Sequence, residues 1–327
     1  MAGLRSEGIA MLSEASSAVL DYRIAEGLGP FEAYSVAEAR AMVERKMPGL
    51  TDPAEGWADG VVQRLGPDGD VAGFLFRPYA GDAAGGALPV VVYVHGGGWV
   101  FGELASHRLL CARMAAGANC AVLSVDYRLA PENRCPAQLE DCQRAISWVV
   151  KNGPAMGLDP SRMFLAGDSA GAGLAAAMAA EKSGAGAGCP APLGQILIYP
   201  ALDQAGAYPS HRIEEPGMAL TGRTMEWFRD HYFHADTDRA DPAVSPLRGG
   251  LEGPPAWVIT AGYDPLRDEG ASYVRLRRER GMETANCVHL HYPGELHGFM
   301  TVTPDSPAAA DALTGVLRFS NNQTGVT

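Results

Sequence analysis

Gly167-Asp168-Ser169-Ala170-Gly171 sets a serine between glycines in a GxSxG pattern. A serine hydroxyl is a weak nucleophile at neutral pH, so chemistry at Ser169 needs a nearby base and a group to orient that base. In a chain with 40 glycines the pattern arises by chance roughly a quarter of the time, so its setting must carry the argument. Met163–Ala166 reads as a short buried strand before the motif, and the Ala-rich Gly173–Glu181 reads as a helix after it. Strand, tight turn, helix is the setting of a nucleophile elbow, where small neighbours permit a strained turn that lifts the hydroxyl clear of the sheet. The plainer alternative is a glycine-rich helix start capped by Ser169; the preceding strand argues against it.

In such a site the chain order is serine, acid, histidine. Four of the eight histidines lie well beyond Ser169 in positions a core site can use: His234, His289, His291 and His297. His289 and His291 alternate within an apolar strand and belong to a sheet face. His297 follows the turn Pro293-Gly294-Glu295-Leu296, on a loop at the carboxyl edge of the sheet, where a base must sit. For the acid, Asp264 directly follows the strand Trp257–Thr260 and the turn Ala261-Gly262-Tyr263. Asp268 falls in the first turn of the next helix, where capping charge explains it. Glu295 is close to His297 in sequence and is expected to face solvent. Asp264 is the stronger candidate.

A tetrahedral intermediate also needs hydrogen-bond donors for its oxyanion. His95-Gly96-Gly97-Gly98-Trp99 follows the strand Leu88–Val94, and its glycines let backbone N–H groups approach a substrate closely. The N–H of Ala170, the residue after the nucleophile, is the expected second donor.

These pieces require a particular scaffold. Leu88–Val94, Cys120–Val125, Met163–Ala166, Gln195–Tyr199, Trp257–Thr260 and Cys287–Tyr292 are short apolar runs, as strands buried on both faces require. Helical segments lie between them; the clearest carries Cys142, Ala145, Ile146, Val149 and Val150 on one face. The alternation predicts a mostly parallel sheet with helices on both sides. Val61–Arg64 and Val71–Phe76 flank the turn signal Gly66-Pro67-Asp68-Gly69 and predict an antiparallel hairpin at one edge. Two segments stand outside the alternation, about 1–50 and about 203–240, with helix expected at Ser13–Leu20, Ser35–Val43 and Met225–Phe233. Segments this long inside a compact domain are usually functional lids. Ser183–Pro192 reads as a surface loop.

At 327 residues, 47% hydrophobic and 20% charged, the chain has the composition of an ordinary globular domain. Its net charge of −12 argues against nucleic acid as a partner. The run Arg275, Arg277, Arg278, Arg280 reads as a solvated helix face. No apolar stretch is long enough to span a membrane, and Arg5, Glu7 and Glu14 interrupt any signal-peptide core, so a cytoplasmic location is expected. The six cysteines lack zinc or CxxC spacing and are expected to be buried thiols.

Taken together, HGGGW (His95–Trp99), DYRLAPE (Asp126–Glu132), GDSAG (Gly167–Gly171), DPLRDEG (Asp264–Gly270) and HGF (His297–Phe299) resemble the hormone-sensitive-lipase-like family of esterases, GDSAG branch. The resemblance covers most of the chain from about residue 60. It implies an α/β-hydrolase fold with an eight-stranded, mostly parallel sheet, and a helical cap built from about 1–50 and about 203–240. It also implies Ser169, Asp264 and His297 as triad, with Gly97, Gly98 and Ala170 as oxyanion donors. Its further implications are a small carboxylic ester as substrate, no metal and no organic cofactor. His95 would brace the glycine loop, and DYRLAPE would be structural with its charges paired internally. The chain departs from the family where Ala172-Gly173-Leu174-Ala175 replaces the common Gly-Asn-Leu-Ala after GDSAG, which removes one local hydrogen-bonding side chain.

Two other functions compete. A serine peptidase or amidase would use the same triad, but no gating domain is expected before the core and the glycine loop resembles that of esterases. A catalytically inactive, ligand-binding hydrolase would lack its base, whereas His297 is present. Phe31, Met42, Met218, Trp227 and Phe228 in the outlying segments either contact an apolar substrate or form their own core. The sequence leaves acyl preference, stereoselectivity and homo-oligomerisation open.

Overall fold

In the computed structural model, the structure describes residues 11–44, 59–65, 71–78, 86–102, 106–180, 189–249 and 251–324. The N-terminal part holds helices α1 (Glu14–Ala25) and α2 (Val36–Glu44), then strands β1 (Asp59–Leu65) and β2 (Val71–Arg77). The alternation follows: β3 (Leu88–Val94), α3 (Arg108–Gly117), β4 (Ala121–Asp126), α4 (Ala137–Asn152), β5 (Leu158–Asp168), α5 (Ala170–Ala180) and β6 (Gly194–Ile198). Helix α6 (Gly222–Tyr232) interrupts it before β7 (Ala256–Tyr263), α7 (Arg267–Glu279), β8 (Cys287–Leu296), the single turn α8 (Phe299–Val302) and α9 (Pro307–Thr324).

The strands form one eight-stranded sheet in the order β1-β2-β4-β3-β5-β6-β7-β8. β1 pairs with β2, and β2 with β4, antiparallel; every other pair is parallel. The hairpin is therefore at the edge, as the sequence predicts, while its turn signal at 66–69 lies outside the described residues. So does most of the 183–192 loop.

The apolar runs are explained by the pleat. Val90, Val92 and Val94 of β3 point into one core layer with α4, α5 and α7, while Val91 and Tyr93 point into the other with α3 and α9. A strand sandwiched in this way has no solvent face, so it carries no polar alternation. On α4, Cys142, Ala145, Ile146 and Val149 are all buried. α5 is buried along nearly its whole length, and its small residues let it lie close beneath the sheet's carboxyl edge. A Cβ at Gly171 would sit 2.1 Å from the Val94 carbonyl oxygen, which is why that position of the GxSxG pattern is glycine. Among the described residues, no helix is long and apolar enough to cross a membrane. Cys111, Cys120, Cys135, Cys142 and Cys287 are buried free thiols, and Cys189 is half-buried.

The outlying segments contribute no strand among their described residues. Helix appears at all three predicted places, in α1, α2 and α6.

Candidate active site

The strand β5 ends at Asp168 and α5 begins at Ala170, which leaves Ser169 alone on the turn with φ of +54°. A left-handed backbone at a residue with a Cβ costs on the order of 1–2 kcal/mol and persists only where its surroundings enforce it. Here Ser169 N–H donates to the Ile198 carbonyl (2.8 Å), and the Ser169 carbonyl accepts from Ala201 N–H (3.1 Å) and Gly173 N–H (3.2 Å). The turn is pinned to β6 on one side and to its own helix on the other.

Ser169 Oγ lies 2.9 Å from His297 Nε2, and His297 Nδ1 lies 2.9 Å from Asp264 Oδ2. Asp264 is fully buried, and its other oxygen accepts the Leu266 N–H at 2.8 Å, which fixes the carboxylate plane. Asp264 acts as an acceptor, so the proton on the imidazole belongs on Nδ1 and Nε2 is left to accept from the serine hydroxyl. Tyr199, at the end of β6, sets its ring edge-on against His297 with centroids 4.7 Å apart. The three sequence-predicted residues thus meet at the carboxyl ends of β5, β7 and β8.

The rejected candidates lie elsewhere in role. Asp268 accepts from Ser210 N–H (2.9 Å) and pairs with Arg267. His289 and His291 share the Thr260 hydroxyl at 2.8 and 2.9 Å on a sheet face, where burial lowers the His289 pKa to about 4. His234 is exposed. Two expectations are corrected: Arg277 of the basic run is buried, where it donates to the Gly253 and Pro254 carbonyls, and Glu295 does not face solvent but is buried, because α1 packs over it and the Ser16 hydroxyl donates to its Oε2 at 2.8 Å.

The glycine loop folds back on itself, with the Gly97 carbonyl accepting from Val100 and Phe101 N–H groups at 3.1 and 3.0 Å. Gly97 and Gly98 have φ of +116° and +58°, and a Cβ on Gly98 would lie 2.2 Å from the Phe228 ring. Both border the cavity that contains Ser169. Behind the loop, His95 Nδ1 contacts the Gly96 carbonyl (2.8 Å) and its ring stacks on Tyr127, whose hydroxyl donates to the His95 carbonyl. Burial first, then the neighbouring His107, lowers the His95 pKa to about 4. A neutral ring with this packing braces the loop.

Asp168, the variable residue of the pattern, has a part that sequence reasoning missed. Its Oδ1 accepts from Tyr93 Oη (2.8 Å), Gly96 N–H (2.9 Å) and His107 Nε2 (3.0 Å). It ties the glycine loop to the elbow. Burial alone would raise its carboxyl, but His107, Tyr93 and Gly96 outweigh that and hold it below the usual range. An acidic residue beside the nucleophile at the buried end of a strand was the available signal. Two of the DYRLAPE charges pair with residues outside that stretch: Arg128 with Asp141 and Glu140, Glu132 with Arg40.

Above these groups lies a cavity of about 440 Å³, within the range for small-ligand sites. Phe31, Phe101 and Phe228 form an aromatic cluster at its wall, with centroids 4.7 to 6.2 Å apart, drawn from three separate segments. Met42 and Met218 also line it; Trp227 does not, and packs on His231 instead.

A serine–imidazole–carboxylate chain opening into an apolar cavity on this fold defines a serine hydrolase, and comparison with known proteins agrees. The profile of the alpha/beta hydrolase fold family matches residues 91–301. The chain is 39% identical over 263 residues to the carboxylic ester hydrolase LipN of Mycobacterium tuberculosis, spanning 77% of this chain and 68% of that one. It is 38% identical over 230 residues to an ethyl acetate hydrolase of Pseudomonas putida, spanning 69% and 70%. Among solved structures it is similar to an ester hydrolase from the metagenome of Lake Arreo, complexed with a derivative of bipyridine phosphonate. That likeness has a TM-score of 0.86 at 33% identity over 97% of this chain and 100% of the other. A hyperthermophilic esterase from Pyrobaculum calidifontis gives 0.80 at 32% identity over 96% and 99%. The chain belongs to the hormone-sensitive-lipase-like family of α/β-hydrolase esterases, and it is a carboxylesterase.

Proposed function

We propose that the protein hydrolyses short- to medium-chain carboxylic esters through an acyl-enzyme, with Ser169 as nucleophile, His297 as base and Asp264 as its orienting acid. The observation that carries this is the unbroken Ser169–His297–Asp264 hydrogen-bonded chain beneath the apolar cavity. Ser169 Oγ attacks the ester carbonyl carbon while its proton passes to His297 Nε2. The resulting oxyanion is held by the N–H groups of Gly97, Gly98 and Ala170. His297 then protonates the departing alkoxide as the C–O bond breaks, which leaves an acyl-serine. A water molecule gives its proton to Nε2 and attacks that acyl group. His297 returns the proton to Ser169 as the acid leaves. Neither metal nor organic cofactor enters these steps.

The segments about 1–50 and about 203–240, of which residues 1–10 and 45–50 lie outside the described residues, act as a cap that shapes the pocket. A cavity of this size, walled by Phe31, Phe101 and Phe228, suits a modest acyl or alcohol group, in keeping with the ethyl acetate hydrolase among the relatives. The test is turnover of p-nitrophenyl acetate, butyrate, octanoate and palmitate by wild type and by Ser169→Ala. Turnover should peak at or below octanoate, be eliminated by a small organophosphate, and be absent from Ser169→Ala. Substantial turnover by Ser169→Ala overturns the mechanism, and a palmitate optimum overturns the substrate class.

A further inference from the structure

Helix α1 does more than lie over the cavity. Ser13 is its N-cap and takes the Ser16 N–H on its own hydroxyl at 3.1 Å, while the Ser16 side chain bonds outward. It does so twice: Ser16 Oγ donates to Glu295 Oε2 (2.8 Å) and accepts from Leu296 N–H (3.1 Å). Ser16 is 1% exposed and Glu295 4%, so water replaces neither bond. At the residue before Glu295, the Gly294 carbonyl accepts from Ser13 N–H at 2.9 Å, and a Cβ on Gly294 would lie 2.8 Å from the Met11 carbonyl oxygen. The residue after this triple attachment is His297.

The sheet holds that segment from one side only, because β8 is its edge strand. The β7–β8 register shifts between Ala261 and Tyr263, just where the strand delivers His297, and the His297 N–H reaches the Tyr263 carbonyl at 3.3 Å. The Leu296 N–H points away from β7, off the edge of the sheet, and finds its partner in a side chain from α1. We infer that Ser16 is a positioning residue for His297, and that seating of α1 against Glu295 and Leu296 sets the base in line with Ser169. This rests on the reading of His297 as the base. Alanine at 16 removes a donor and an acceptor together and leaves a buried carboxylate oxygen and a buried N–H unpaired, a state that relaxes by moving the 294–297 segment.

The experiment measures kcat and KM of the full-length protein per active site, with sites counted by stoichiometric organophosphate labelling of Ser169, so that any unfolded fraction drops out. Ser16→Ala should lose on the order of ten- to a hundredfold in kcat, with KM within about twofold. The rate constant for phosphonylation of Ser169 should fall by a similar factor, because that step also needs the base. Glu295→Ala should behave like Ser16→Ala. Glu295→Gln, which keeps an acceptor for the Ser16 hydroxyl, should restore most of the loss, and Ser16→Ala/Glu295→Ala should lose less than the product of the single effects. Wild-type kcat per site in Ser16→Ala overturns the inference, as does a loss confined to KM. If Ser169→Ala or His297→Ala stays active, the mechanism itself fails; if both are dead while Ser16→Ala is unimpaired, only this inference fails.

Discussion

The floor and the roof of the cavity are held by different means. In the floor, the groups proposed to react are placed by backbone. Ser169 sits on a turn whose amide and carbonyl are both engaged, and Asp264 and His297 stand just beyond the ends of adjacent strands. In the roof, residues 11–44 are fastened mostly by side chains that reach to backbone or to one another, beside the Ser13 and Phe31 backbone bonds to Gly294 and Ala219. Arg40 donates to the Val100 and Ala130 carbonyls at 2.9 Å each. Arg23 donates to the Gly217 and Gly29 carbonyls, Glu32 takes the hydroxyls of Thr221 and Thr224, and Ser16 grips the segment before His297. A site built on backbone is insensitive to most side-chain changes except at the reacting groups. A roof built on side chains can be altered one contact at a time. The comparison predicts a steep gradient of mutational effects from floor to roof.

The steepest effect belongs to Asp264→Asn. The Leu266 N–H can still bond an amide oxygen, so the fold should be kept, but the carboxylate acceptor for His297 Nδ1–H is lost and the wrong tautomer is favoured. Turnover should fall on the order of 10⁴-fold with an unchanged unfolding temperature. A fall of less than tenfold would move the orienting role away from Asp264.

Gly98→Val comes next, at the seam between floor and roof. Its φ of +58° disfavours a β-branched residue, and the new Cβ would meet Phe228 of α6. Loss of one oxyanion donor costs on the order of 10²–10³ in turnover. The expected result is that loss in kcat, with organophosphate-labelled Ser169 still countable. Wild-type turnover would place the donors elsewhere.

The same contrast explains what was legible in the sequence. Ser169, Asp264 and His297 stand at strand ends within short motifs, and apolar runs mark those strands, so local pattern suffices to find them. The glycine loop is equally local. Glu295 was misjudged because it sits beside a turn, which usually means solvent; its burial depends on Ser16, 279 residues away. Arg40 carried no local signal of Val100 and Glu132, and the acidic residue beside Ser169 marked Asp168 without pointing to Gly96 and His107. Helix could be expected at α1 and α2, but not the grip those helices have on the floor. Sequence patterning predicted helices standing outside the strand–helix alternation; it could not show that their side chains bond the segment before His297 and the residue after the glycine loop.

The smallest effect tests the roof's outer edge. Arg40 holds Glu132 in a bidentate pair, with Nη1–Oε1 at 2.7 Å and Nη2–Oε2 at 2.8 Å, and the hydrogen bonds from Arg40 lower the Glu132 carboxyl to about 2 from an ordinary value of 4.5. The Glu132 side chain is 57% exposed, so solvent screening leaves the pair worth no more than about 1 kcal/mol despite the size of that shift. A carboxyl depressed on folding contributes stability that is fully present above its unfolded value, and that is lost as the pH falls from about 4.5 toward about 2. Glu132→Gln should therefore lower the unfolding free energy by up to about 1 kcal/mol at neutral pH, with kcat nearly unchanged, because Arg40 keeps its two carbonyl acceptors in the floor. The difference between wild type and variant, followed by chemical denaturation as a function of pH, should shrink steadily below pH of about 4.5. A difference that persists unchanged at the lowest pH would show that Glu132 acts through packing rather than charge. A large fall in kcat would show that the roof's outer edge reaches the chemistry as strongly as Ser16 is inferred to do.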